Sequence, residues 1–80
     1  MKQLEAALDR AQRRRSLPSP VERRLLRMRA GLTQADVAGC LGTTTAAVSR
    51  YESGDREPRP AILDRYLGVL ERLSGEKTSA

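Results

Sequence analysis

The sequence has no histidine, no tryptophan and no phenylalanine, and it contains a single cysteine, Cys40. Without histidine it lacks the side chain that most often transfers protons near neutral pH. One cysteine excludes an intrachain disulfide and a cysteine-based zinc site, and Cys40 has no histidine to act as its base. We therefore expect neither an enzyme nor a metal or cofactor site, and we interpret Cys40 as a structural or surface thiol.

Aromatic residues and long apolar runs are also scarce. Apart from two tyrosines, Leu, Val, Ile and Ala must fill the core of these 80 residues, and this composition favours one small all-helical bundle over a β-sandwich. No apolar run approaches the roughly 20 residues of a transmembrane helix, and residues 1–15 lack the apolar stretch of a signal peptide. The expected location is therefore the cytoplasm, with no membrane association.

Acidic residues are few in the first third of the chain. Residues 1–29 hold nine basic side chains against three acidic ones, whereas residues 30–80 hold six against seven. Nearly all of the net charge of +5 therefore arises before residue 30. A basic balance favours a polyanion as partner, and here the first third supplies that balance.

Helical periodicity predicts an amphipathic helix over residues 1–15, with Leu4, Ala7, Leu8 and Ala11 on one face. At about 15 residues it would be marginal alone, so we expect it to pack on something or to order on binding. Residues 16–20 then break the helix, because they contain two prolines. Residues 1–18 are thus predicted to be a separate N-terminal helix and linker.

Capping residues mark the second helix. Ser19 is a suitable N-cap, Pro20 stands at the favoured first position, and Glu22 completes a capping box. Gly31 suits the end of this helix. Its predicted apolar face consists of Val21, Leu25 and Met28, with Leu26 beside them.

Three further helices follow within the predicted domain of residues 19–74. Thr33 and Asp36 cap a helix over residues 34–41, and Thr43 or Thr44 caps the next one, which runs to about residue 53. Residues 55–59 form a polar loop, residues 61–73 the last helix, and residues 75–80 a disordered tail. The apolar stripe of the last helix comprises Ile62, Leu63, Tyr66, Leu67, Leu70 and Leu73.

The two short helices over residues 34–53 have the spacing of a helix-turn-helix. Ala38 is small where the second helix crosses the first, Gly42 tolerates the positive φ of the turn, and Val48 anchors the second helix in the core. These residues fall at positions 5, 9 and 15 of the window that begins at Gln34. All three in one register, with caps on either side, predict the motif strongly.

Residues 25–70 resemble the lambda-repressor-like (Cro/C1-type, XRE family) helix-turn-helix domain, most clearly in Gly-Leu-Thr-Gln at 31–34 and Ser-Arg-Tyr-Glu-Ser-Gly at 49–54. The resemblance implies a compact all-α bundle of four helices, here preceded by the extra N-terminal helix. It also implies a sequence-specific transcription regulator, most naturally a prokaryotic or phage repressor, which binds double-stranded DNA at the nucleoid. The family's final helix after Leu70 is absent or fused into the preceding one, and residues 1–18 have no counterpart in the minimal domain.

The resemblance implies roles for individual residues. Base edges in the major groove face Thr44, Thr45, Ala46 and Arg50, and Arg50 is the best candidate to read guanine. The expected phosphate contacts are Gln34, Ser49, Ser53, Arg56 and Arg59. Each of these roles has an alternative. The threonines could simply cap the helix, Gln34 could be solvated, and the loop that carries Arg56 and Arg59 could be an ordinary polar loop. Arg27 and Glu52 correspond to a structural ion pair. It braces the helix that follows Ser19 against the recognition helix, which is the helix over residues 44–53.

The N-terminal helix leaves several alternatives open. Its arginines, Arg10, Arg13, Arg14 and Arg15, are either a basic arm that contacts DNA or a solvated helix end. We expect a homodimer on a palindromic operator, formed through Leu4 and Leu8 or through Val69, Leu70 and Leu73. The alternative function is a protein-interaction module (antitoxin, antirepressor or adaptor) that binds a partner through residues 1–15.

Overall fold

A computed structural model describes residues 1–75, and within this range all regular secondary structure is helical. The all-α prediction is confirmed. The five helices are α1 (Lys2–Ser16), α2 (Pro20–Arg29), α3 (Gln34–Leu41), α4 (Thr45–Ser53) and α5 (Pro60–Gly75). None of the helices in this range is both long and apolar enough to cross a membrane.

The helix starts follow from side-chain caps. At α2, Ser19 Oγ accepts a hydrogen bond from the backbone amide of Glu22 at 3.3 Å. At α3, Thr33 and Asp36 form a reciprocal capping box, in which each side chain accepts from the other's backbone amide at 3.0 and 2.8 Å. At α4 the cap is Thr44, whose Oγ1 accepts from the Ala47 amide at 3.1 Å. The N-cap of α4 is therefore Thr44 and not Thr43.

Two glycines stop α3 and α4. Gly42 has a φ of 72° and Gly54 a φ of 83°, in the left-handed region that side chains with a Cβ rarely adopt. A Cβ at Gly42 would also lie 3.0 Å from Arg65 Nη1, which donates to the Leu41 carbonyl. Gly42 therefore lets the chain turn sharply between α3 and α4 and leaves room for Arg65.

The core lies where α3 and α4 pack against α2 and α5. The rings of Tyr51 and Tyr66 meet in it at a centroid distance of 5.6 Å, which places the only two aromatic residues together. The buried apolar side chains of this cluster are Leu26, Val37, Ala38, Leu41, Ala47, Val48, Tyr51, Tyr66 and Leu70.

The predicted apolar face of α2 is wrong. Val21, Leu25 and Met28 are 68, 40 and 52% exposed, whereas Leu26 and Arg23 are buried. Arg23 occupies the inner face because it finds polar partners there: Nε donates to the Pro18 carbonyl at 2.7 Å and Nη1 to the Tyr51 carbonyl at 2.8 Å. A pattern that assigns only apolar residues to the core misplaces a helix whose buried face contains a satisfied arginine.

Helix α1 packs against α5 but buries none of its own residues. Leu4 and Leu8 remain 52 and 58% exposed, so the predicted apolar face is open in this chain. Arg13 bridges to Asp9 on its own helix and to Asp64 on α5, both at 3.3 Å.

Helix α5 is longer than predicted at both ends, since it begins at Pro60 and ends at Gly75. It continues past Leu70 without a break, in agreement with the fused alternative for the family's last two helices. The predicted disordered tail is therefore wrong at Gly75, and its remaining residues, 76–80, lie outside the described part of the chain.

Candidate nucleic-acid interface

Helices α3 and α4 form the predicted helix-turn-helix around three residues. Ala38 and Val48 are buried at the contact between the two helices, and Gly42 makes the turn between them. With Val48 and Tyr51 turned into the core, the opposite side of α4 faces solvent. Its exposed residues are Thr45, Ala46, Ser49, Arg50 and Ser53.

The four residues expected to read bases lie at the start and one turn further along this side. Thr44, Thr45, Ala46 and Arg50 are all exposed, and the Thr44 hydroxyl oxygen accepts the capping bond. The guanidinium of Arg50 makes no hydrogen bond or ion pair with any residue in the range 1–75. It is therefore available to a ligand outside the chain.

The residues expected to contact phosphates differ in how free they are. Ser49, Arg56 and Arg59 are exposed, and their side chains have no partner within the described residues. Ser53 Oγ donates to the Arg50 carbonyl at 3.1 Å and accepts from the Asp55 amide at 3.3 Å. Gln34 is half-buried, and its Nε2 donates to Glu52 Oε1 at 3.1 Å.

Arg27 and Glu52 form a bidentate ion pair that joins α2 to α4. Arg27 Nε and Nη2 donate to the two carboxylate oxygens at 2.6 and 3.0 Å, and Nη1 donates to the Leu32 carbonyl at 2.9 Å. The side chains are only 12 and 4% exposed. The hydrogen bond to Glu52 raises the pKa of Arg27 above its ordinary value, against the opposing effect of burial. The pair therefore ties the last turn of α4 to α2.

Arg23, which sequence reasoning did not single out, holds the same last turn of α4. Its Nη1 caps the Tyr51 carbonyl in the last turn, and its Nη2 lies 3.3 Å from Glu57 in the loop that carries Arg56 and Arg59. One signal was present in the sequence: Arg23 stands four residues before Arg27, on the same face of α2. Two arginines at this spacing hold α4 from one side.

The arginines expected to form a basic arm do not behave alike. Arg13 is engaged by Asp9 and Asp64, whereas Arg10, Arg14 and Arg15 are exposed and have no partner among residues 1–75. They lie on a helix that is docked on α5. An arm built from them would therefore be a helical ridge.

Comparison with known proteins relates the sequence of this chain to helix-turn-helix domains. A family model described as a helix-turn-helix domain matches residues 24–79 of this chain. An uncharacterized HTH-type transcriptional regulator from Archaeoglobus fulgidus is 40% identical over 45 residues, which make up 56% of this chain and 20% of that protein. The chain thus spans about a fifth of the length of this relative. No solved structure matches the chain.

Proposed function

Because this chain belongs to the helix-turn-helix domain family, in its XRE-like form, we propose that it is a Cro/C1-type repressor that binds double-stranded DNA sequence-specifically. The family membership and the relative support a DNA-binding regulator of transcription. The observation that carries the finer proposal is the exposed side of α4. It combines small side chains at the helix start with an arginine one turn further on that has no partner among residues 1–75.

In the proposed complex the N-terminal half of α4 lies in the major groove. Arg50 reads guanine, because its two donors match the N7 and O6 acceptors, and the methyl groups of Thr45 and Ala46 contact thymine methyls. Thr44 caps α4 through its hydroxyl oxygen, which leaves its methyl group and its O–H donor for the DNA. Direct readout rests mainly on Arg50.

Phosphates on either side of α4 are held by Gln34, Ser49, Ser53, Arg56 and Arg59. The bond from Gln34 to Glu52 does not prevent this, because a primary amide carries two N–H donors and only one is used. Arg23 and Glu57 support the loop that presents Arg56 and Arg59. Arg10, Arg14 and Arg15 add a further cationic ridge along the backbone, with Arg13 holding α1 to α5.

Selection of binding sites from random duplexes tests the proposal, with Arg50→Ala selected in parallel. We expect the wild type to enrich a palindrome, and Arg50→Ala to lose preference at one base pair of each half-site by about 1–3 kcal/mol. Ser53→Ala, on the same side of α4, is the matched control and should keep the base preference.

A second function is favoured by one observation, the open apolar stripe of α1, where Leu4 and Leu8 are more than half exposed. In an antitoxin, antirepressor or adaptor this stripe would bind a different protein. A wild-type selection that enriches no sequence would overturn the repressor proposal and support this second function.

A further inference from the structure

A shallow pocket of about 250 Å³ lies beside the exposed side of α4, between α2, α3 and α4. Five of its lining residues already have a role, either in the brace of α4 or as expected phosphate contacts. The sixth, Arg24 on α2, has none. The lining residues are Arg24, Arg27, Gln34, Ser49, Glu52 and Ser53.

The charges of this pocket do not balance. The carboxylate of Glu52 accepts from Arg27 on both oxygens and from Gln34 on one, so its charge is neutralised within the fold. Arg24 is exposed, and no residue of the described chain forms a hydrogen bond or ion pair with its guanidinium. The pocket therefore has one uncompensated charge, and it is positive.

The free donors of the pocket suit an oxyanion. Beside Arg24, the Ser49 hydroxyl has no partner within residues 1–75, and one N–H of the Gln34 amide remains unused. The Ser53 hydroxyl is already bonded within the turn that ends α4. A guanidinium with neutral donors around it is an arrangement that binds phosphate oxygens well.

We propose that Arg24 binds a backbone phosphate of the DNA in this pocket, together with the Ser49 hydroxyl. The inference rests on the proposed function, since it takes the DNA duplex bound by α4 as the source of the phosphate. Because Arg24 is on α2 and the base-reading residues are on α4, this contact fixes the angle at which the recognition helix enters the groove. It strengthens binding to every duplex and reads no base.

Salt dependence of DNA binding tests the inference, with Arg24→Gln compared with Arg29→Gln. Arg29 is the matched control: it is an exposed arginine on the same helix, without a partner among the described residues, but it lines a different groove with Glu22, Leu67 and Glu71. Both variants lose one charge, so their difference isolates the contact. Kd is measured between 50 and 200 mM KCl on the selected duplex and on an unrelated duplex of equal length.

We expect Arg24→Gln to lower the slope of log Kd against log salt by about 0.9, the value for one phosphate. Between the two salt concentrations this removes about a 3.5-fold loss of affinity. The ratio of affinities for the two duplexes should stay unchanged, Arg24→Lys should restore most of the slope, and Arg29→Gln should match the wild type. Arg14→Gln enters the same series as a test of the cationic ridge of α1.

A scan of the duplex with single methylphosphonate linkages, which remove one phosphate charge at a time, locates the contact. Several linkages should weaken the wild type, and among these one in each half-site should leave Arg24→Gln unaffected. If Arg24→Gln and Arg29→Gln give the same slope and the same linkage profile, the inference is wrong although the protein still selects a sequence. If the wild type selects none, the proposed function fails instead. The unfolding midpoints, which exposed and unpartnered side chains should leave unchanged, show that the variants fold.

Discussion

Glu52 is the residue on which three separate segments converge. It lies on α4, it accepts from Arg27 on α2 and from Gln34 at the start of α3, and Arg27 in turn holds the Leu32 carbonyl before α3. A buried carboxylate is tolerated only when such donors replace the water it loses. The position of α4, and of the residues it presents, therefore depends in large part on a side chain that itself faces inward.

Glu52→Ala is accordingly expected to destabilise the fold strongly. Removing the carboxylate leaves the Arg27 guanidinium buried without its charged partner, and such a loss costs about 3–5 kcal/mol. Thermal or urea unfolding measures it, and Glu71→Ala, at an exposed and unpartnered acid among residues 1–75, is the control with little change. An unchanged melting curve for Glu52→Ala would show that the pair does not hold α4.

At the scale of helices, local signals decide where each element begins and ends. The Thr33–Asp36 box starts α3, and the left-handed glycines at 42 and 54 stop α3 and α4. Hydrogen bonds from the Thr33 amide and hydroxyl lower the pKa of Asp36, because they stabilise its charged form. The cap of α3 therefore depends on the ionisation of a surface aspartate.

Asp36→Ala is expected to lower the unfolding midpoint at neutral pH and to have no effect on it in acid. Because the folded pKa of Asp36 lies below its ordinary value of 3.8, the stability it adds is complete above that value. This stability is lost as pH falls through the folded pKa. The unfolding midpoints of wild type and Asp36→Ala should therefore differ at neutral pH and converge in acid. Asp55→Ala is the control, and a constant difference down to pH 2 would contradict the account.

These local signals explain why much of the fold could be predicted from the sequence. Caps and glycines act within four residues, so the bounds of α3 and the cap of α2 follow from adjacent letters. The orientation of α2 could not be predicted in this way, because it depends on carbonyls at Pro18 and Tyr51 that meet Arg23 only after folding. A role for Arg24 could not be predicted for the same reason, since residues from three helices form its pocket.

For the molecule as a whole, only some of the basic side chains of residues 1–29 form hydrogen bonds or ion pairs within the fold. Arg23 and Arg27 hold α4, and Arg13 holds α1 to α5. The other basic side chains of residues 1–29 have no partner within the described range and are exposed; they are Lys2, Arg10, Arg14, Arg15, Arg24 and Arg29. A protein with a nearly neutral helix-turn-helix thus keeps most of the free cations of its described residues on the two helices that precede the motif.

Two apolar stripes are candidates for the interface of the expected dimer, and they differ in how exposed their residues are. Leu70 is buried in the core, and Val69 and Leu73 pack partly against it, whereas Leu4 and Leu8 are open to solvent one turn apart on α1. The charged residues of α1 are also unevenly distributed along the helix. Glu5 and Asp9 lie in its first half, and three consecutive arginines lie at its end. Two parallel copies would bring these arginines together, so the charges favour an antiparallel pair, which has the two-fold symmetry of a palindromic site.

The double variant Leu4→Ser/Leu8→Ser is therefore expected to be monomeric where the wild type is a dimer. Removing two leucines deletes most of the apolar surface that α1 offers to a second copy, while the core of residues 20–73 is untouched. Sedimentation equilibrium measures the change, and Val21→Ser, at an exposed apolar residue of α2, is the control that should stay dimeric. On a palindrome the double variant should bind each half-site independently, with the half-sites about 34 Å apart. A double variant that still dimerises would move the interface to Val69 and Leu73, and a monomeric wild type would leave the stripe of α1 to a different protein.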